Sequence, residues 1–269
     1  MRPIVELEEL KQIELNIMKE VHEFCVLNEI WYVLTYGTLL GAIRHNGFIP
    51  WDDDIDIHMT REGYNKFIDL FPAWGKDRNL KLIGPHSEGN EFPRDLLKVC
   101  DSRTVLIEKA YKNGCKMGVF VDIWPLDKVH KNESAFEMLW IDLIYMIKRI
   151  SLASDIDKKS DKYKQLNIKK RLFVSLFGKF DAKKLVLTQE RLSQRYNNTQ
   201  DAKYISFQAN KRFYDEKDIF PAVLHKFEDT EFYIPNNYDA ILQSTYGDYM
   251  ELPPIEKRQP QHSQIVFWL

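Results

Sequence analysis

Cysteine is scarce in this 269-residue chain: Cys25, Cys100 and Cys115 are its three, and none forms a Cys-x-x-Cys pair. That scatter argues against a disulfide framework and a cysteine zinc site, and fits free thiols in a reducing compartment. Long apolar runs are missing too. Residues 4–30 carry Glu and Lys throughout, so no signal-peptide core follows Met1-Arg2. The most apolar later stretch, Met138 to Ala153, is interrupted by Asp142, Lys148 and Arg149 and is too short to span a bilayer. A cytoplasmic protein is the expectation. Charge of one sign is not in excess either, and a formal −2 gives no overall pull toward nucleic acid. What is plentiful is apolar side chain, 44% of residues, enough for a sizeable core and too much for low-complexity disorder.

Leu7, Leu10, Ile13, Ile17, Val21 and Phe24 recur at helical spacing and predict a helix over 4–29. Trp31 to Tyr36 reads as a short buried strand, broken by Gly37-Thr38, with a short helix over Leu39 to His45. Asp54-Ile55-Asp56-Ile57-His58 alternates with period two and reads as a strand showing its acids to one face. Thr60 is placed to cap the helix that follows. Further strands are expected at 80–83, 96–100 and 118–123, the last closed by Trp124-Pro125. The expected fold is therefore α/β (α+β), a mixed sheet flanked by helices. From Ser134 to Arg195 the pattern is helical, with fourteen Lys and Arg against seven Asp and Glu. This basic segment is either a solvated helix surface or a face for anionic lipid or a polyphosphate acceptor. The tail from Phe220 returns to short strands and turns. The organisation expected is a catalytic core over 1–133, a helical insertion over 134–200, and a C-terminal part over 201–269 completing the substrate site.

The chemistry concentrates in two places. On a strand Asp54 and Asp56 would point the same way, and two carboxylates that close repel unless a cation sits between them. Oxygen-only ligands favour Mg²⁺ or Mn²⁺, which leave positions open for phosphate oxygens. Ahead of them, Gly37 lets the backbone approach closely and Thr38 caps the next helix, whose free N–H groups would take a donor phosphate. Arg44 and His45 at that helix's far end add cations, though salt-bridging accounts for Arg44 equally well. A lone Asp-x-Asp is weak, and Asp52-Asp53-Asp54 alone would fit a solvated turn or a Ca²⁺ loop. The combination of the Gly-Thr turn, the paired acids and a third acid, Asp122, ending a later strand is stronger.

That combination has the spacing of the nucleotidyltransferase superfamily, and the string from Tyr36 through Gly37, Thr38, Arg44, Trp51 and Asp52 to Asp56 resembles the signature of the LicD family, which includes the fukutin-type phosphotransferases. Val121 to Asp127 resembles its second block, and Tyr246-Gly247-Asp248-Tyr249-Met250 with Leu252-Pro253-Pro254 and Arg258 resembles its C-terminal block. The resemblance implies a nucleotidyltransferase-like core moving a phosphorylated alcohol from a cytidine diphosphate donor to a sugar hydroxyl. The group is phosphocholine from CDP-choline in the best-known members and ribitol phosphate or similar in others. In bacterial members the acceptor is a teichoic acid precursor or lipopolysaccharide. It further implies that Gly37 and Thr38 hold donor phosphate and that Asp54 and Asp56 bind Mg²⁺. Asp122 would share the metal or act as general base. Tyr36, Trp51, Tyr246 and Arg258, lying in these blocks, are expected beside the substrate.

Lys98 would reach the diphosphate or sit on the surface. A choline cargo would need an aromatic cage, for which Trp51, Trp124, Tyr246, Tyr249 and Trp268 are available. His262 would touch substrate or lie on the surface, whereas His45 and His58 lack partners for a zinc site. Two other functions compete: a nucleotide-sugar glycosyltransferase using Asp-x-Asp and Mn²⁺, and a non-catalytic metal- or glycan-binding module. Release of pyrophosphate by a true nucleotidyltransferase is a further option within the fold.

Overall fold

The computed structural model describes residues 2–87, 92–107, 116–131, 134–200, 202–207, 211–259 and 265–269. Cys115 and His262 lie outside them. In the N-terminal part the elements are β1 (Arg2–Ile4), α1 (Leu7–Leu27), β2 (Tyr32–Leu34), α2 (Tyr36–His45), β3 (Asp56–Thr60) and α3 (Arg61–Lys76). Next come β4 (Leu80–Ile83), β5 (Leu97–Asp101), β6 (Thr104–Ile107), β7 (Lys116–Met117) and β8 (Phe120–His130). Helices α4 (Ala135–Asp155), α5 (Asp161–Gln165), α6 (Ile168–Phe177) and α7 (Ala182–Ser193) follow without an intervening strand. The chain then forms β9 (Ala202–Ser206), β10 (Arg212–Tyr214), α8 (Glu216–Ile219), β11 (Val223–Phe227), β12 (Thr230–Ile234), α9 (Tyr238–Tyr246) and β13 (Ile265–Trp268).

The main sheet is mixed, as expected. Its order runs β10-β9-β8-β3-β2, with β4 joined through β5 to β8. Only β3 and β8 run parallel among these pairs. Strand β8 is longer than its apolar run predicts. It does not stop at Asp122 but continues through Trp124-Pro125, because one edge is used twice: β5 pairs with residues 120–123 and β9 with 127–130. Pro125 falls in the gap between those partners, where that edge has no ladder to break.

Three other expectations are corrected. Residues 2–4 are not helical; they pair with the chain's last strand, Arg2 opposite Trp268. Helix α2 begins at Tyr36, with Thr35 at the cap position, so Thr38 lies inside its first turn. Strand β3 begins at Asp56, so Asp54 belongs to the segment before it and the two acids do not share a strand face. Thr60 does cap α3, accepting from the Gly63 N–H, and α9 lies in a tail read as strands and turns.

The helical part from 134 is bound to the sheet by buried charge. Arg61 donates to both oxygens of Asp127 and, through Nη1, to Glu190 of α7 at 2.6 Å. Lys148 of α4 meets Asp95, and Arg94 meets Asp155. Removing one member of such a buried set leaves an uncompensated charge, a loss of about 3–5 kcal/mol. Among the described residues, no helix is long and apolar enough to cross a membrane.

Candidate functional site

The parallel register of β3 on β8 places Asp56 level with Asp122. Both are fixed through the backbone as well. Asp122 N–H donates to the Ile55 carbonyl at 2.9 Å, Thr35 N–H to the Asp56 carbonyl at 3.0 Å, and Asp56 N–H to Thr38 Oγ1 at 2.8 Å. The Thr38 oxygen therefore ties α2 to β3 rather than capping the helix. The Asp56 side chain is buried and accepts a 2.7 Å hydrogen bond from Trp124 Nε1. Burial foremost, then the charges of Asp54 and Asp122, pushes its carboxyl well above the usual range, against the Trp124 bond and Lys98. Lys98 is neither on the surface nor an open cation. It is buried beneath Phe120 and pairs with Asp122 Oδ1 at 2.5 Å.

A second group of acids sits just before the strand. One oxygen from each of Asp52, Asp53 and Asp54 lies within 4.8 Å of the others, close enough that the three could share a metal ion. Asp53 is 5% exposed, so this is no solvated turn. Gly37 makes room for the group: a Cβ there would stand 2.7 Å from Asp52 Oδ2. Sequence reasoning missed Glu14 altogether. It lies on α1, buried, with Oε2 lacking a hydrogen-bond partner among the described residues. Burial, followed by Asp54, Asp53, Asp122 and Asp52, holds its carboxyl far above the ordinary range. Buried acids that face one another this way cannot all be charged without a cation, and an all-oxygen set suits a hard ion such as Mg²⁺ or Mn²⁺.

Asp52 also lines an open cleft of about 450 Å³ shared by Gly37, Arg44, Trp51, Tyr246 and Tyr249. Arg258 stands over the Trp51 ring at 5.4 Å. The cleft thus gathers residues from the first and last sequence blocks. Arg44 donates there to the Tyr249 carbonyl at 2.8 Å and to that of Glu251, with no salt bridge among the described residues. Burial pushes the Tyr246 hydroxyl up to about 12, with Asp56 and Asp52 adding and Arg212 opposing. Arg212, on β10, was another residue without a sequence signal. Tyr36 turns its hydroxyl inward to His58 and Ser206. Among the aromatic candidates, Trp124 serves Asp56, and Trp268, on β13, donates to Glu9 at 2.9 Å. Trp51, Tyr246 and Tyr249 remain at the cleft.

Comparison with known proteins matches residues 29–149 to a family described as LicD/FKTN/FKRP, nucleotidyltransferase domain. The lipopolysaccharide cholinephosphotransferase LicD of Haemophilus influenzae is 31% identical, over 98% of this chain and 98% of its own length. An uncharacterised protein of Rickettsia typhi is 33% identical over 44% of this chain and 35% of its own.

His58, two residues beyond Asp56 on β3 and buried, gives a test of this arrangement. Burial, aided by Arg212, pushes its imidazole down from 6.5 to about 3. The unfolded chain therefore takes up a proton that the folded chain refuses as pH falls from about 6.5 toward 3. Folding stability should drop over that window by on the order of 1 kcal/mol per pH unit from this group. Asp56 and Glu14, shifted upward, act in the opposite sense, so the comparison is between variants. Urea midpoints from pH 7.5 to 5 should fall less steeply for His58→Gln than for the wild type.

Proposed function

This chain belongs to the LicD family, and from that membership we propose that it transfers phosphocholine from CDP-choline to a sugar hydroxyl of a cell-surface glycan precursor, with Mg²⁺ or Mn²⁺ bound. The acceptor class is lipopolysaccharide, as in the name of the Haemophilus influenzae relative, or a teichoic acid precursor, free or lipid-linked. The observation that carries this reading is that Asp52 belongs both to the acid group and to the wall of the cleft. A diphosphate lying in the cleft would then have cationic side chains on one side and a metal-holding group on the other.

Asp54 and Asp56, with Asp52 and Asp53 beside them, are assigned to hold the ion. When bound, it neutralises the negative charge that builds on the phosphoryl oxygens in the transition state. Arg44 and Arg258 are assigned to the donor's phosphates, and the first turn of α2, entered through Tyr36-Gly37-Thr38, offers backbone N–H groups to the same anion. Asp122 is assigned either to share the ion or to take the proton from the acceptor hydroxyl, and Lys98 fixes its carboxylate for both roles. Trp51, Tyr246 and Tyr249 supply ring faces to the choline ammonium.

The helical part is assigned to an anionic membrane surface where a lipid-linked acceptor would lie. Beside its surplus of basic residues it exposes Phe136, Leu139 and Leu143 on α4 and Ile168, Leu172 and Leu176 on α6. Apolar side chains among Lys and Arg bind anionic lipid interfaces.

Two experiments test these assignments. With Mg²⁺, CDP-choline and acceptor glycan, the protein should release cytidine monophosphate. Asp54→Asn or Asp56→Asn should slow this roughly 100-fold or more. Release of uridine or guanosine diphosphate from nucleotide sugars would instead establish a glycosyltransferase, and turnover of no donor would leave a binding module. For the membrane assignment, co-sedimentation with phosphatidylglycerol vesicles should be strong at low salt and weak at high salt; no binding at low salt would sink it.

A further inference from the structure

Helix α1 carries an acid where its packing calls for an apolar residue. Leu10, Glu14, Ile17 and Val21 follow one another at helical spacing, and Glu14 is 3% exposed. Its Oε2 has no hydrogen-bond partner among the described residues. Lys11, one turn earlier, does not neutralise it by a described ion pair; its ammonium donates to the Ile49 and Pro50 carbonyls at 3.2 and 2.9 Å. Those bonds draw α1 against the segment that leads into Asp52, Asp53 and Asp54. The helix also packs on β5 and β8, the strands of Lys98 and Asp122. The charges bearing on Glu14 are those of Asp54, Asp53, Asp122 and Asp52. A buried carboxylate with an orphan oxygen, set among acids, is costly unless a cation joins them.

We infer that Glu14 is a member of the cation site, supplied by α1 from outside the sequence blocks that carry the aspartates. It acts on the ion directly or through one water of the ion's shell, since Mg²⁺ keeps several waters when bound by carboxylates. The inference rests on the cation reading proposed above. One consequence is that ion binding tightens α1 against the sheet, so the N-terminal helix belongs to the site and is more than a cover for the core.

Titration of the full chain with Mn²⁺ alone, followed by electron paramagnetic resonance and calorimetry, tests this without any turnover. Glu14→Gln keeps the shape and removes the charge, and should weaken Mn²⁺ binding about 10-fold or more. The ion-free variant should unfold at or above the wild-type temperature, and Mn²⁺ should raise that temperature less than in the wild type. A merely structural Glu14 would do the reverse: lower ion-free stability and unchanged Mn²⁺ affinity. Wild-type amide exchange gives a check that needs no variant. Mn²⁺ should slow exchange around residues 13–17 as well as 52–56, and protection confined to 52–56 would overturn the inference. If the wild type binds no Mn²⁺, the cation reading itself fails. If it binds and the variant matches it, only the role of Glu14 fails.

Discussion

The parallel pairing of β3 with β8 is the constraint on which the site depends. It sets Asp56 level with Asp122 and leaves Asp52, Asp53 and Asp54 on the approach to the strand. Hydrogen bonds from Thr35, Asp56 and Asp122 pin this register from the backbone, so the acids cannot separate without breaking the centre of the sheet. Their repulsion is thus built into the fold. Local partners answer part of it: Lys98 pairs with Asp122 and the Trp124 indole donates to Asp56.

Burial first, and then the neighbouring aspartates, raise the carboxyls of Asp56 and Glu14 well above their ordinary range. Carboxylates held this close repel, and the divalent ion proposed above would relieve that repulsion. The adjoining cleft is of mixed charge: Arg44 and Lys257 line it together with Asp52, Asp248 and Glu251, among the rings of Trp51, Tyr246 and Tyr249.

Much of this was legible from residue order alone. The helix over α1, the helical run from 134 and the mixed character of the sheet all follow from periodicity. Asp54 and Asp56 are singled out by spacing and Asp122 partly by resemblance, and the structure sets Asp56 level with Asp122. What escaped depends on contacts remote in sequence. The period-two pattern around Ile55 extends the strand too early, because Asp54 lies in the irregular segment before β3, whose Asp52 closes on Gly37. Trp124-Pro125 looks like a strand end until two different partners on one edge are known. Lys98 looks exposed until Phe120 and Asp122 enclose it. Glu14 did leave a trace, an acid in the apolar stripe of α1, but nothing local distinguishes such a residue from a tolerated polar one. The ion pairs of Arg61, Lys148 and Arg94 that bind the helical part to the sheet have no spacing signature at all.

The acid group is proposed to hold a divalent ion against a diphosphate in the adjoining cleft. The most direct measurement is a crystal structure with Mn²⁺ and CDP-choline, with the ion located by its anomalous signal. The account predicts the signal between the Asp52–Asp54 segment and Asp56, with the diphosphate touching the ion and the choline at Trp51, Tyr246 and Tyr249. An ion bound elsewhere, or a diphosphate bound away from these acids, would contradict it.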